Sequence, residues 1–165
     1  MRFLTAAIIT LCVGVTTAGE SKPRLLPVFE LDASDGSSVN FTGSEASNPA
    51  VLIFWATWCP YCRVLFPHIE AVRKDYAAQG VDFYALNIWE DGDPKLYFEE
   101  RGYGMTLLLA ADLVAEEFGV QGTPGVYVAD GSREMLYQRQ RGEKPEDVER
   151  ALRASLDRAL EARAR

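Results

Sequence analysis

Val51-Leu-Ile-Phe-Trp-Ala-Thr-Trp-Cys-Pro-Tyr-Cys-Arg63 is the stretch from which the rest of the chain is read. It opens as an unbroken apolar run of strand length, the pattern of a strand buried on both faces of a sheet. It ends in two cysteines separated by two residues. From Cys62 onward, Leu65, Ile69, Val72 and Tyr76 recur at helical spacing, so a helix begins almost as soon as the strand stops. This places Cys59 near a helix N-terminus, where unpaired backbone N–H groups and the macrodipole favour an anion. A thiolate held there is expected to have a lowered pKa at an exposed position. Pro60 suits the first helical turn, where its missing N–H is not needed. Cys62, further into the helix, is expected to be more shielded and able to attack a mixed disulfide formed at Cys59. That is the layout of a dithiol/disulfide exchanger.

Two plainer readings of the pair fit less well. Half a zinc site needs two more ligands, and the only other cysteine and histidine are Cys12 and His68. A purely structural disulfide would close so short a loop that it removes little entropy from the unfolded chain.

With 165 residues, the chain has the length of one domain able to bury a full core. Its net charge of −7, without a basic cluster, argues against nucleic acid and anionic membrane surfaces as partners. The first residues differ from the rest. Arg2 precedes the uncharged run Phe3–Val15, and Thr16-Thr17-Ala18 supplies small residues, so residues 1–18 read as a secretory signal peptide cleaved after Ala18. If retained, the same segment would act as a membrane anchor. Cys12 leaves with the signal, and residues 19–165 form the mature domain. Its two cysteines then both lie in the motif, in an oxidising compartment.

Ahead of the motif, Val28–Leu31 and Val39–Phe41 flank Asp35-Gly36 and read as a hairpin preceding the main sheet. The helix after the motif is expected to reach about Ala78, with a kink at Pro67. Val81–Ile88 is the next strand, which implies a right-handed parallel crossover. A short helix from Pro94 to Arg101, a strand at Thr106–Leu109 and a helix at Asp112–Phe118 follow. Gly122-Thr-Pro-Gly125 leads into a second hairpin around Asp130-Gly131. Pro145 opens a last helix with Val148, Leu152, Leu156 and Leu160 on its apolar side. The pairs Glu146/Arg150 and Glu149/Arg153 mark its other side as a solvated face.

Phe54-Trp-Ala-Thr-Trp-Cys-Pro-Tyr-Cys-Arg63, Pro67 five residues after the second cysteine, and Gly122-Thr-Pro124 before a strand together resemble the thioredoxin superfamily. The likeness covers Pro27 to about Leu160 and is nearest to the secreted bacterial TlpA/ResA-like thiol–disulfide oxidoreductases, several of which act in cytochrome c maturation. The resemblance implies an α/β thioredoxin fold: a central mixed sheet, helices on both faces, and an N-terminal β-hairpin extension. It implies Cys59 as nucleophile, Cys62 as resolving cysteine, and Pro124 as a cis-proline facing the dithiol. Thr123 would offer backbone groups to an extended substrate, and Trp58, Pro60 and Tyr61 would complete the substrate-binding surface. Trp55 is expected in the core.

Glu90 enters by the same likeness. Cytoplasmic thioredoxins carry a buried Asp where Ile53 stands here, whereas the ResA-like branch has a glutamate in a stretch like Leu86-Asn-Ile-Trp-Glu90. A partly buried carboxyl there is expected to have a raised pKa and to relay protons to and from Cys62. The alternative is a solvated loop acid beside Asp91 and Asp93. Pro60-Tyr61 between the cysteines and Gly125 after the proline depart from many relatives. The expected partners are protein thiols and disulfides and a membrane electron donor or acceptor, in the periplasm. A reductive direction is favoured, with no cofactor or metal beyond the redox-active Cys59–Cys62 disulfide. The rival is a non-catalytic copper carrier on the same fold, with thiolates for Cu(I) and His68 as a third ligand.

Overall fold

The structure, a computed structural model, describes residues 22–44 and 47–165. β1 (Phe29–Asp32) and β2 (Ser38–Phe41) form an antiparallel hairpin that is a sheet of its own. β3 (Ala50–Trp55) is the apolar run, and each of its residues is buried. α1 (Pro60–Tyr76) carries the chain to β4 (Asp82–Asn87), which pairs parallel with β3. α2 (Pro94–Arg101) precedes β5 (Thr106–Leu108), parallel to β4, and α3 (Asp112–Phe118) precedes β6 (Gly125–Ala129), antiparallel to β3. β7 (Met135–Gln138) completes the sheet in the order β5-β4-β3-β6-β7, and α4 (Pro145–Arg163) closes the chain.

Side chains of a strand alternate between faces. Val51, Ile53 and Trp55 therefore enter one core layer with Phe66 and Ile69 of α1, Phe98 of α2, and Leu152 and Leu156 of α4. Leu52 and Phe54 enter the other, with Phe118 of α3 and Phe29 and Phe41 of the hairpin. The fold is thus the expected α/β sheet with helices on both faces. The hairpin does more than lead in. Phe29 stacks on Phe41 with ring centroids 5.1 Å apart, and the Ser34 N–H donates to the Leu107 carbonyl at 2.8 Å. Ala33 also bridges Leu108, so the hairpin covers the free edge at β5.

Two expectations need correction, the end of α1 and the charged side of α4. α1 starts at Pro60, in the first turn as expected and with Cys59 as its N-cap, and ends at Tyr76, two residues short of the expected Ala78. It runs through Pro67 as one helix. The charged side of α4 is not simply solvated. Glu149 meets His68 of α1 at 2.7 Å and Arg153 at 2.9 Å, and Arg153 reaches Asp75 at 2.7 Å, so this face helps to seat α4 on α1. Arg150 pairs with Asp147.

The expected signal segment, residues 1–18, lies outside the described residues. Among the described residues, no helix is long and apolar enough to cross a membrane.

Candidate active site

Sheet register brings three chain segments to one end of the molecule. β3 and β4 run parallel and stop together, Trp55 opposite Asn87, so residues 56–59 and 88–92 leave the sheet side by side. β6 runs the other way and begins with Gly125 opposite Phe54, which sets residues 122–124 at the same end. The dithiol thus stands at the carboxyl end of the parallel strands, where open α/β sheets place their clefts.

Cys59 and Cys62 are joined as a disulfide, with Cα atoms 5.3 Å apart. The Cys59 sulfur also caps α1, accepting the Cys62 backbone N–H at 3.1 Å. The sulfur expected at a helix N-terminus is therefore there, in position to receive backbone hydrogen bonds as a thiolate. The expected difference in exposure is not found: both cysteines are 1 % exposed. In the disulfide both cysteines are withdrawn from solvent, while their chain neighbours Trp58 (45 %) and Tyr61 (72 %) are exposed.

Glu90 differs most from expectation. Its carboxylate accepts the Thr57 N–H at 3.0 Å, the Thr57 hydroxyl, the Asn87 amide, and the backbone N–H groups of Asp91 and Gly92 at 3.0 and 2.9 Å. Burial alone would raise its pKa, but the hydrogen bonds from Thr57, Asn87 and Gly92 outweigh burial and hold the carboxyl below its ordinary value. The expected raised pKa is thus overturned, and so is the picture of a loosely solvated loop acid. Donors to the charged form win because each would otherwise lose its partner. Glu90 ties its loop to Thr57, two residues before Cys59.

The remaining expected residues gather at the same end. Pro60 and Tyr61 are exposed on the first turn of α1, Thr123 is half-buried and Pro124 buried, and the Thr123–Pro124 bond is cis. Trp55 is fully buried, its ring 5.0 Å from Phe66 and 5.1 Å from Phe98. His68 lies on the α1–α4 contact, bonded to Glu149.

Four residues at the site escaped the sequence reading. Thr57 donates to Glu90 from its N–H and its hydroxyl, and Arg63 donates to the Thr57 carbonyl from Nε at 3.3 Å and Nη2 at 3.0 Å. Arg139 donates from Nη1 to the Pro124 carbonyl at 3.2 Å. Asp112 accepts the Trp89 N–H at 2.9 Å. The i, i+6 spacing of Thr57 and Arg63 is a faint local signal for the first pair, while Arg139 and Asp112 leave none. A cleft of about 400 Å³ lined by Trp58, Arg63, Asp91, Leu96, Tyr97 and Glu100 opens next to the motif.

The family model described as Redoxin matches residues 19–155. The chain belongs to the Redoxin family. This redoxin is similar to the thiol-disulfide oxidoreductase ResA of Halalkalibacterium halodurans, at 28% identity over 139 residues, covering 75% of this chain and 76% of the relative. It is also similar to the thiol:disulfide interchange protein DsbE of Pseudomonas aeruginosa, at 29% identity over 108 residues and 63% of this chain. That match spans 58% of the Pseudomonas protein, less than two thirds of its length. Among solved structures, a Chlorobium tepidum protein described as a candidate thiol:disulfide interchange protein DsbE superposes with a TM-score of 0.72 at 27% identity. The superposition covers 85% of this redoxin and 98% of that chain.

Proposed function

We propose that this redoxin is a thiol–disulfide oxidoreductase that exchanges electrons with protein disulfides through Cys59 and Cys62. The observation that carries the reading is the Cys59 sulfur at the head of α1, bonded to the Cys62 N–H and recessed at the sheet end where residues 88–92 and 122–124 converge. In the reduced protein the Cys59 thiolate attacks a substrate disulfide. A bond forms between Cys59 and one substrate sulfur, and the other leaves as a thiolate that takes up a proton. Cys62 then loses its proton, attacks the Cys59 sulfur and releases the second substrate thiolate. The substrate gains two electrons and the protein returns to its disulfide. The same steps in reverse oxidise a dithiol.

In this reading Trp58, Pro60, Tyr61, Thr123 and Pro124 form the substrate surface. Glu90, ionised at neutral pH, keeps the Thr57–Cys59 turn in place. The chemistry requires no cofactor besides the cysteine pair. The names of the relatives support thiol–disulfide exchange, and the resemblance to the TlpA/ResA-like branch favours a reductive role in the periplasm, fed by a membrane electron donor and serving cytochrome c maturation or another exported protein.

The test uses the full chain. Cys59→Ser should abolish reduction of a protein disulfide, whereas Cys62→Ser should accumulate a mixed disulfide visible as a mass shift that reductant removes. Full exchange activity in Cys59→Ser, or no adduct with Cys62→Ser, would remove the basis for the proposal.

A further inference from the structure

The backbone of Trp89 sits at φ +50°, in the left-handed region that bulky side chains rarely adopt. Glycine enters this region without penalty, so a tryptophan there has to be held. It is held on both sides. Its N–H donates to Asp112 Oδ1, at the start of α3, at 2.9 Å, and its carbonyl accepts the Trp58 indole Nε1 at 2.7 Å. The next residue, Glu90, is fixed to Thr57 and Asn87. Backbone strain kept by such surroundings points to a use at the site it borders.

What the arrangement presents is apolar. Trp58 and Trp89 are 45 % and 42 % exposed, and Trp58 adjoins Cys59, which is 1 % exposed. A substrate sulfur that reaches Cys59 comes up beside Trp58, its neighbour in the chain, whose indole N–H is tied to the Trp89 carbonyl. Asp91 and Asp93, exposed further along the same loop, line the cleft beside Trp58 with Glu100, so that three acids outnumber Arg63 and Arg101 there.

We propose that Trp89 and Trp58 form an aromatic clasp that favours polypeptide substrates with an apolar or aromatic side chain next to the reacting cysteine, with Asp112 as the positioning residue that holds Trp89 in place. Burial of that side chain against indole supplies the preference, and the aspartates disfavour an acidic one. The inference rests on the thiol–disulfide reading above and specifies its substrate class.

The test uses the pre-reduced full chain and peptides whose single cysteine is glutathionylated and flanked by tryptophan, glycine or glutamate. Cys59 attacks the peptide sulfur, the peptide–glutathione bond breaks, and glutathione leaves as a thiolate that takes a proton. Cys62 then displaces the peptide thiol, so the mixed disulfide gains the two electrons that the dithiol loses. The readout is the ratio of second-order rate constants between peptides, which a general loss of stability or reactivity would not move.

Wild type should prefer the tryptophan peptide over the glycine peptide by about tenfold, the scale of a modest apolar contact, with the glutamate peptide slowest. Trp89→Gly accepts the same φ but lacks the ring, and its tryptophan-to-glycine ratio should fall to within about twofold of unity. Asp112→Ala should lower the ratio, whereas Asp112→Asn, which keeps an acceptor oxygen, should retain it. An unchanged ratio in Trp89→Gly overturns the clasp, as does a wild type without preference. If Trp89→Gly does not fold, equal ratios in Asp112→Ala and Asp112→Asn overturn it. A wild type that turns over none of the peptides overturns the exchange reading itself, and the clasp with it.

Discussion

The two loops that flank the dithiol are built on opposite plans. Residues 88–92 are locked: Glu90 accepts hydrogen bonds from Thr57, Asn87, Asp91 and Gly92, and a Cβ on Gly92 would lie 2.5 Å from the Thr57 hydroxyl oxygen. Residues 122–124 are open. A Cβ on Gly122 would meet nothing within 4 Å, Thr123 lies beyond the first rung of the β3–β6 ladder, and Arg139 holds the segment through the Pro124 carbonyl. The contrast separates two tasks. One loop fixes the turn that enters the nucleophile, so that little reorganisation is needed when a sulfur arrives. The other leaves backbone groups for an extended chain to pair with.

The largest effect that would break this contrast is expected at Glu90. Glu90→Ala strands the Thr57 N–H and the Asn87 amide, and should destabilise the fold by about 3 kcal/mol in denaturant titration. The pH dependence has a definite sign. The folded carboxyl titrates below its ordinary value of 4.5, so its stabilisation is complete above that pH and is lost as pH falls through the lower folded value. The gap between wild type and Glu90→Ala should therefore be constant at neutral pH and close in acid. A gap that changes only above pH 4.5 would restore the raised-pKa picture.

Gly92→Ala comes next. The added methyl meets the Thr57 hydroxyl, which is itself tied to Glu90, and the expected loss is about 2 kcal/mol in thermal or denaturant unfolding. Arg139→Met sharpens the other side. It frees the Pro124 carbonyl, and should cost about tenfold in kcat/KM on a protein disulfide through loss of one charge-assisted hydrogen bond. The smallest effect is expected for Gly122→Ala, within about 0.5 kcal/mol of wild-type stability. If Gly92→Ala were as silent as Gly122→Ala, the loops would not differ in kind.

Much of the fold was legible because its signals are local. The run Val51–Trp55, the cysteine spacing and the period of Leu65, Ile69 and Val72 located β3, the head of α1 and its buried face. The Asp35-Gly36 and Asp130-Gly131 turns located both hairpins. Misreadings occurred where a residue answers to something distant. Glu149 and Arg153 look like a solvated pair on their own helix, yet they meet His68 and Asp75 on another. Glu90 looks like a free acid beside two aspartates until Thr57, 33 positions earlier, is seen to donate to it.

What the order of residues determined by itself was the chemistry on offer: two cysteines at the spacing of an exchangeable pair, at the junction of a buried strand and a helix, with a proline-containing turn later in the chain. What tertiary structure alone decided was the state of that chemistry. The shared burial of both sulfurs, the ionised Glu90, the Arg139 hold on Pro124, and Trp89 fixed by Asp112 all follow from where β3, β4 and β6 end relative to one another. Periodicity reports which face a residue turns toward the core. It carries no information about which loop side chain will stand 3 Å from a backbone group dozens of positions away, and that distance sets charge and burial at the site.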